Sequence, residues 1–337
     1  MPHYRVTVAV PTLAADASLL ACVRALLSQT VEDLEIVVVD NSGVGRAQEA
    51  LREIGSERVR VLVNERNTGF GAAVNQAFAA SAAPFLATVN DDAEADPRWA
   101  EALLRASDAT DVGMWASRVM LPDGTLDSAG MLLCPDGIGK QRGHGRPPAD
   151  FAREEEVLLP SGSAALYRRA VIEETGGFDG AFFLYCEDTD LGLRARWLGW
   201  RCLYVPDAVV HHRYSHTAGR ASPLKAWYVE RNRLSLVVKC FPGAMLWMSP
   251  WNAAARYFWH VRTLVSGRGS AGRFREEGHG GARLVWYVLR AHWALVLGLP
   301  RLIRQRRLIQ RTARVGARQF RSLVRSHAIS PREVAEA

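Results

Sequence analysis

Apolar runs alternate with amphipathic segments through the first hundred residues of the chain. Four runs rich in β-branched residues are YRVTVAV (4–10), LEIVVVD (34–40), RVRVLVN (58–64) and PFLATVND (84–91). The segments between them repeat apolar residues at helical spacing: ASLLACVRALLSQ (17–29), GRAQEALREIG (45–55) and GFGAAVNQAFAAS (69–81). Strands that are apolar throughout and alternate with helices predict an α/β fold, with helices on both faces of a mostly parallel sheet. Ligands of such folds bind at the carboxyl ends of strands.

The pattern changes twice further along the chain. Between residues 111 and 160 it loosens into short strands with many Gly and Pro residues, and PPADFAREEE (147–156) is typical of an exposed loop. A second ordered block runs from 160 to 240, and beyond it the segments are apolar, Trp-rich and basic. This change of character at residue 240 indicates an α/β body followed by a C-terminal extension.

The formal net charge of +7 comes from one segment of the chain. Residues 283–325 contain eleven arginines and no acid, and the rest of the chain has 31 basic against 35 acidic residues. The body is therefore slightly acidic, which does not favour a nucleic-acid ligand. The five cysteines are scattered without a C-x-x-C pair, which argues for a reducing compartment and against a disulfide framework or a zinc site. Because MPHYRVTVAVPTL lacks the features of a signal peptide, we expect a cytosolic protein.

Polar residues follow two of the predicted strands. Asp40 ends the second strand, and Asn90, Asp91 and Asp92 end the fourth. Each acid could serve only as the N-cap of the next helix. Since the carboxyl ends of parallel strands converge on one crevice, we expect negative charge to concentrate there. A divalent cation such as Mg²⁺, held by one or two carboxylates and by substrate phosphates, would relieve that repulsion.

A glycine pair opens the third predicted helix. Gly69 and Gly71 would leave backbone N–H groups free to face an anion. The third glycine of a dinucleotide fingerprint is missing, which disfavours a nicotinamide dehydrogenase, and a tight strand-to-helix turn is the alternative interpretation. Asn75 would face out of an otherwise apolar helix.

Three carboxylates crowd into four positions of LYCEDTDLGLR (184–194), namely Glu187, Asp188 and Asp190. They would lie at a helix N-terminus, where the macrodipole favours ionised carboxylates. Some of them could be caps, but an ionised carboxylate that faces a crevice is also a good general base for a hydroxyl. Further on, adjacent residues His211 and His212 end an apolar strand and must point to opposite faces, so at most one of them can reach the site. A purely structural histidine is the alternative.

The C-terminal segment combines basic and apolar residues. Eight arginines recur every three or four residues and would form one stripe on a helix: Arg301, Arg304, Arg307, Arg311, Arg314, Arg318, Arg321 and Arg325. Before them, LVWYVLRAHWALVLGLP (284–300) is Trp-rich but too short for a membrane span. Such helices are typical of the surface of an anionic membrane. The alternatives are an ordinary packing helix with a solvated face, and nucleic-acid binding, for which no reader motif is present.

The order of these motifs resembles that of the family 2 glycosyltransferases, which have the GT-A fold. The matching residues read VPT, VVVDN, NTGFGAAVN, NDD, GGFD, FLYCEDTDLGLR, GW and VVHH, and they span residues 4–240. They are most similar to the bacterial rhamnosyltransferase and galactofuranosyltransferase branch. The resemblance implies a GT-A domain over residues 1–240, with a nucleotide-sugar half (1–110) and an acceptor half (111–240). Residues 241–337 would be a helical, amphipathic extension that associates with a membrane.

The resemblance also implies a role for individual residues. The nucleoside of the donor is expected to lie against Pro11, Thr12 and Asp40, with Asp40 bonded to the pyrimidine. The ribose and diphosphate are expected to lie against Asn67, Gly69 and Asn75, and Asp91 would lie near the ribose or sugar. Asp92 would match the metal-binding acid of a D-x-D motif whose first position is here Asn90, and His212 would complete the metal site. Asp188 would be the catalytic base, with Glu187 and Asp190 shaping its field and binding the acceptor.

The implied activity is an inverting transfer that depends on Mg²⁺ or Mn²⁺ and uses a nucleoside-diphosphate sugar. dTDP-rhamnose is the first expectation for the donor, and a UDP-sugar used by a galactofuranosyl or hexosyl transferase is the second. The acceptor would be a polysaccharide or a lipid-linked glycan at the inner face of the cell membrane. A function of another class, a non-catalytic membrane-bound GT-A scaffold, would bind a donor without turning it over.

Overall fold

The computed structural model describes residues 4–213, 223–265 and 281–336. The strands are β1 (Val6–Thr12), β2 (Leu34–Asp40), β3 (Val59–Val63), β4 (Phe85–Val89), β5 (Ala93–Ala95), β6 (Val112–Met120), β7 (Leu126–Ser128), β8 (Met131–Leu133), β9 (Gly139–Gln141), β10 (Glu155–Val157), β11 (Ala164–Arg168) and β12 (Arg201–His212). The helices are α1 (Ala17–Leu27), α2 (Arg46–Ala50), α3 (Phe70–Ala79), α4 (Trp99–Arg105), α5 (Arg169–Thr175), α6 (Glu187–Trp197), α7 (Pro223–Cys240), α8 (Gly243–Val265), α9 (Gly281–Thr312), α10 (Ala317–Ser326) and α11 (Pro331–Glu336).

One ten-stranded sheet forms the centre of the body. Its order is β10-β12-β6-β11-β4-β1-β2-β3, with β5 paired to β12 and β7 paired to β6. Strands β4, β1, β2 and β3 are parallel, as the sequence predicts. Strand β11 enters between β4 and β6 in the opposite direction, so the complete sheet is mixed. The α/β class with helices on both faces is confirmed.

Strand β1 shows why the first strands are apolar throughout. Val8 and Val10 pack with Leu19 of α1 on one face, whereas Ala9 packs with Ala73 of α3 on the other. Because both faces of the strand are covered, a polar side chain on either face would be buried without water. Polar residues are therefore concentrated where the strands end.

The C-terminal helices pack against the body and against each other. Helix α7 lies along α9, and α11 packs on α8. The indole of Trp197 stacks on Phe320 with ring centroids 4.1 Å apart. The Trp197 carbonyl also accepts a hydrogen bond from the Arg314 N–H at 2.9 Å. This docking interrupts the helix between Thr312 and Ala317, so the predicted arginine stripe does not lie on one continuous helix.

Three further observations bear on the expectations from the sequence. The segment expected to be an exposed loop (147–156) contains a 3₁₀ helix at Pro148–Phe151, and the buried ring of Phe151 lies beneath the Arg142 guanidinium at 4.7 Å. In the part of the chain that the structure describes, no helix combines the length and hydropathy of a membrane span. All five cysteines have free thiols.

Candidate active site

A crevice of about 460 Å³ opens at the carboxyl ends of β1 and β4 and is bordered by the first turn of α6. Its charged lining consists of five carboxylates, two lysines and one histidine, which are Asp91, Asp92, Asp127, Glu187, Asp188, Lys140, Lys225 and His212. Pro11, Thr12, Asn67 and Gly69 also line it. Carboxyl groups outnumber the cationic side chains of this lining, so an accompanying cation would favour the binding of an anionic ligand.

Asp91 and Thr12 join the ends of the two central strands. The Thr12 hydroxyl donates to Asp91 Oδ2 at 2.6 Å. Burial raises the pKa of Asp91 to about 6 and the neighbouring Asp92 adds to the increase, although the Thr12 hydrogen bond opposes it. Asp91 therefore changes its charge close to neutral pH.

His212 lies between two carboxylates. Its Nε2 atom is 3.1 Å from Asp92 Oδ1, and its Nδ1 atom is 2.9 Å from Asp127 Oδ2. Burial disfavours charge on the imidazole, but the hydrogen bonds to Asp127 and Asp92 prevail and raise the pKa of His212 to about 9. The neighbouring His211 is exposed and contacts Asp96, as the alternation of a strand requires. Asp127 thus fixes the ring so that Nε2 faces Asp92.

Asp92 and His212 fit a divalent cation as a pair. Octahedral Mg²⁺ holds its ligands at about 2.1 Å, which separates neighbouring ligand atoms by about 3.0 Å. The 3.1 Å between Asp92 Oδ1 and His212 Nε2 matches that separation. Within residues 4–213, 223–265 and 281–336 there is no group of three or more His, Cys, Asp or Glu side chains that could hold a metal ion. A cation here would therefore need water or substrate oxygens as its other ligands, as Mg²⁺ commonly does.

The first turn of α3 is tied to the segment before α6. Gly69 has a φ of +85°, and a Cβ there would lie 2.4 Å from the Phe183 carbonyl oxygen. The Phe70 N–H donates to that oxygen at 2.8 Å, and the Gly69 N–H donates to Asn67 Oδ1 at 2.9 Å. A Cβ at Gly71 would lie 2.9 Å from Phe178 Cβ. Both glycines thus permit close packing, and N–H groups that could face an anion are partly used within the chain.

The structure does not bring Asp40 and Asn75 to the crevice. Asp40 is fully buried, and its carboxylate accepts from the N–H groups of Ser42 (2.8 Å) and Ala47 (2.7 Å), so it anchors the start of α2. The Asn75 amide pairs with the Phe178 backbone, donating at 2.8 Å and accepting at 2.9 Å. Asp40 therefore serves the next helix, which is the alternative to a ligand-binding role. The neighbouring Asn41 lines the crevice instead.

The three carboxylates of α6 have different surroundings. Asp190 is fully buried and bonds to Arg194 (2.9 Å) and Lys239 (2.9 Å), so it is structural and lies away from the crevice. Asp188 is partly exposed in the crevice, and burial raises its pKa although hydrogen bonds from Gly162 and Thr189 oppose the change. Asp188 is therefore the carboxylate of this group that is open to a ligand and held by hydrogen bonds.

Glu187 differs from the other two carboxylates because one of its buried oxygens is not hydrogen-bonded to any described residue. It is buried, and its Oε2 atom has no hydrogen-bond partner in the part of the chain that the structure describes. Burial first, and then the charge of Asp188, raise the pKa of Glu187 to about 8. At neutral pH the side chain is thus mainly a neutral carboxylic acid, which can donate as well as accept.

The segment before α6 has an unusual backbone. Phe183, Tyr185 and Cys186 have φ values between 64° and 68°, a region that residues with a Cβ rarely adopt. The Asn232 amide of α7 donates to the carbonyls of Leu184 (2.8 Å) and Tyr185 (2.7 Å), and so holds this conformation. Strained backbone of this kind is concentrated at functional sites, and here it directs the first turn of α6 into the crevice.

Sequence reasoning missed Asp127, Gly162 and Asn232. Asp127 lies in the three-residue strand β7 and Gly162 in the loop before β11, and both are too short to show a periodicity. The sequence signal for Asn232 is weak, because its charged cluster ERNR (230–233) lies in a helix that also carries Lys225 and Lys239. All three act through long-range contacts that one sequence does not disclose.

The fold and the crevice define the class of the protein as a GT-A glycosyltransferase. The chain belongs to glycosyl transferase family 2, whose family model matches residues 7–176. A second model, glycosyl transferase family group 2, matches residues 150–304.

Individual relatives agree with this assignment. The chain is 31% identical over 217 residues to an N-acetylglucosaminyl-diphospho-decaprenol L-rhamnosyltransferase of Mycobacterium tuberculosis, covering 57% of this chain and 70% of the relative. The fold of this chain is similar to that of GalNAc-T7 with UDP, GalNAc and Mn²⁺ (TM-score 0.57, 16% identity), and the similarity covers 82% of this chain and 54% of that chain. It is also similar to the mannosyltransferase PcManGT of Pyrobaculum calidifontis with GDP-Man and Mn²⁺ (TM-score 0.53, 15% identity, 88% and 87%).

Proposed function

We propose that the protein is an inverting, metal-dependent glycosyltransferase that moves a sugar from a nucleoside-diphosphate sugar to an acceptor hydroxyl. The proposal rests on one observation: the Asp92–His212 pair and the Asp188 carboxylate line the same crevice. The first site is suited to a cation beside a diphosphate, and the second is suited to a proton acceptor.

Asp188 acts as the general base. The acceptor oxygen forms its bond to the anomeric carbon while the bond from that carbon to the diphosphate oxygen breaks, and Asp188 takes the hydroxyl proton. Such a direct displacement inverts the anomeric configuration. Glu187, neutral beside it, can donate a hydrogen bond to a sugar hydroxyl without adding negative charge.

Asp92 and His212 would hold Mg²⁺ or Mn²⁺, and the bound cation would neutralise the charge of the departing diphosphate. Lys140 and Lys225 add positive charge to the crevice lining. Pro11, Thr12, Asn67, Gly69 and Asp91 would contact the nucleoside, ribose and sugar of the donor. Asp40 and Asn75, as they lie here, would support this pocket from behind.

The donor is proposed to be dTDP-rhamnose, and the acceptor a lipid-linked glycan. Both rest on the resemblance to the rhamnosyltransferase branch and on the Mycobacterium tuberculosis relative, whose name describes rhamnosyl transfer to N-acetylglucosaminyl-diphospho-decaprenol. We place the enzyme in the cytoplasm, peripheral on the inner face of the cell membrane. Residues 1–240 would form the catalytic domain, and residues 241–337 the membrane-associating part.

Calorimetric titration with dTDP, UDP and GDP, each with and without Mn²⁺, tests the proposal. We expect one pyrimidine diphosphate to bind in a Mn²⁺-dependent manner to the wild type and to Asp207→Ala, which removes an exposed acid far from the crevice. Asp92→Ala should lose that dependence. UDP preferred over dTDP would favour a UDP-sugar donor, and no binding of any diphosphate to the folded wild type would refute the transferase.

A further inference from the structure

Two helices of the C-terminal part each expose a stripe of large apolar side chains. On α8 the stripe is Trp247, Trp251, Phe258 and Val261, and on α9 it is Trp286, Leu289, Trp293 and Leu297. The four tryptophans are between 61% and 78% exposed. Spacings of three, four and seven residues place each set on one side of its helix. We call these two sets the aromatic stripes.

The chemistry around the aromatic stripes is basic. Neither α8 nor α9 contains an aspartate or a glutamate. Exposed cationic side chains, among them Arg262 and Arg290, accompany the stripes. Exposed Trp and Leu beside cations, without acids, is the combination that binds the headgroup region of an anionic bilayer.

The segment between α8 and α9 contains too few apolar residues to cover the aromatic stripes. Residues 266–280 read SGRGSAGRFREEGHG, with one aromatic residue and no Leu, Ile, Val or Met. An apolar occupant must therefore come from outside that segment.

We propose that the aromatic stripes of α8 and α9 dock the protein on the surface of an anionic lipid bilayer. This inference deepens the proposed function, since a lipid-linked acceptor would be presented at the same surface. Lys225 and Val229 of α7 line the crevice, and Trp227 of the same helix carries the Arg290 guanidinium 4.2 Å above its ring. Arg290 follows Leu289 of the α9 stripe directly, so docking brings the bilayer to the helix that borders the crevice.

The arginines expected from the sequence to contact the membrane are partly used elsewhere. Arg301 pairs with Asp179 at 3.0 Å, and Arg314 pairs with Glu174 at 3.0 Å. Arg306, which is not one of the eight arginines of the predicted stripe, donates to the Val238 carbonyl at 2.9 Å. These contacts attach the helices to the body, so the main apolar contribution to docking belongs to the stripes and the arginines add long-range attraction.

Flotation of the full chain with phosphatidylcholine vesicles, with and without phosphatidylglycerol, tests the inference in the absence of donor and acceptor. We expect the wild type to bind the anionic vesicles, and brominated lipid to quench its tryptophan fluorescence. Trp286→Ser/Trp293→Ser and Trp247→Ser/Trp251→Ser should each lower the partition coefficient about tenfold or more. The matched control Val44→Ser/Val63→Ser, which removes exposed apolar residues of the body, should bind like the wild type.

Three results would overturn the inference. The wild type could bind no vesicle, the tryptophan variants could bind as well as the wild type, or they could change only the oligomeric state in light scattering, which would assign the stripes to a second copy. Because the assay contains no nucleotide, its failure leaves diphosphate binding intact as separate evidence for the transferase. Loss of diphosphate binding with vesicle binding retained would refute the transferase alone.

Discussion

The Oδ2 atom of Asp188 accepts a hydrogen bond from the backbone N–H of Gly162 at 2.9 Å. The Oδ1 atom accepts from the Thr189 N–H at 2.6 Å. Each oxygen is thus held by a donor of the main chain, and these bonds favour the ionised form against the burial that disfavours it. A carboxylate fixed in this way can accept a proton without first reorienting.

Asp188→Asn should abolish most turnover and leave donor binding intact. General-base assistance is typically worth about 10²–10⁴ in rate, and the amide cannot accept the proton. We expect kcat to fall by that factor, while the Kd for the pyrimidine diphosphate with Mn²⁺ stays within about twofold. Equal losses in kcat and diphosphate affinity would instead make Asp188 part of the donor site.

Gly162→Ala tests the positioning of Asp188 separately from its chemistry. A Cβ at this position would lie 3.3 Å from Asp188 Cβ and 3.4 Å from Oδ2, so the Asp188 side chain would have to shift by a few tenths of an ångström. Small misplacements of a reacting group reduce rate strongly, so we expect kcat to fall by about tenfold or more with the melting temperature nearly unchanged. Gly316→Ala, at a position in open space that likewise has no positive φ, controls for the loss of a glycine alone. A rate equal to that of the wild type would show that the carboxylate tolerates the shift.

Glu187 should limit activity on the alkaline side. Its pKa of about 8 means that it is neutral below that pH and negative above it, beside the ionised Asp188. A second charge would repel an anionic donor, so we expect kcat/KM to rise with pH as Asp188 ionises and to fall above about pH 8. Because Glu187 and Asp188 are coupled, the two apparent pKa values of the pH profile belong to the pair rather than to either carboxyl alone.

Glu187→Gln should remove the alkaline limb and retain the acidic one. The amide keeps the shape of the side chain but cannot ionise. Glu94→Gln, which alters an exposed acid on β5, should retain both limbs. Persistence of the alkaline limb in Glu187→Gln would assign it to another group.

Asp127→Ala should weaken metal binding. Asp127 holds His212 Nδ1 at 2.9 Å, and carboxylates that orient a ligating histidine are worth about 10–100-fold in metal affinity. We expect that loss in the Kd for Mn²⁺ with diphosphate, measured by electron paramagnetic resonance, and a smaller loss for Asp127→Asn, which can still accept from Nδ1. His144→Ala removes the other imidazole that contacts Asp127, at 3.2 Å, and should bind Mn²⁺ like the wild type. Unchanged affinity in Asp127→Ala would refute the orienting role.

The polar residues at the ends of the strands show which part of the site a single sequence could predict. Buried strands force polar groups to their carboxyl ends, so the convergence of Thr12, Asp91 and Asp92 follows from the apolar pattern. Which of two adjacent polar residues faces the crevice depends on the turn after the strand. At the end of β2 the turn directs Asp40 to the N–H of Ala47 and presents Asn41 instead.

The remaining differences come from contacts between distant parts of the chain. Asn75 pairs with Phe178 across 103 residues, and Asp190 meets Lys239 across 49. The periodicity of the sequence does not predict contacts between residues so far apart. The arginine stripe has the spacing of one helix, but the Trp197 carbonyl accepts from the backbone after Thr312, and the helix ends there. The pattern therefore predicts elements and strand-end chemistry, whereas tertiary hydrogen bonds decide which carboxylate remains open to a ligand.

A buried charge network should make the attachment of α7 and α8 sensitive to acid. Glu230 of α7 bonds to Arg256 of α8 at 2.9 Å, and it also accepts from Arg233 and Tyr257. Burial disfavours its charge, but Arg233 and Arg256 hold the pKa of Glu230 at about 2. The unfolded value is about 4.3, so this depressed pKa contributes on the order of 3 kcal/mol to the stability, present above the unfolded value and lost as pH falls towards 2.

Urea unfolding of the wild type and Glu230→Gln between pH 7 and pH 2.5 measures this contribution. At pH 7 the variant should be less stable by roughly 3 kcal/mol, and the difference should shrink steadily below about pH 4.3. Carboxyls with raised pKa values, such as Asp91, are common to both proteins and cancel in the comparison. Glu49→Gln breaks an exposed pair with Arg52 and should change nothing measurable. A difference between wild type and Glu230→Gln that stays constant across the pH range would mean that Glu230 acts through shape and hydrogen bonding rather than through its charge.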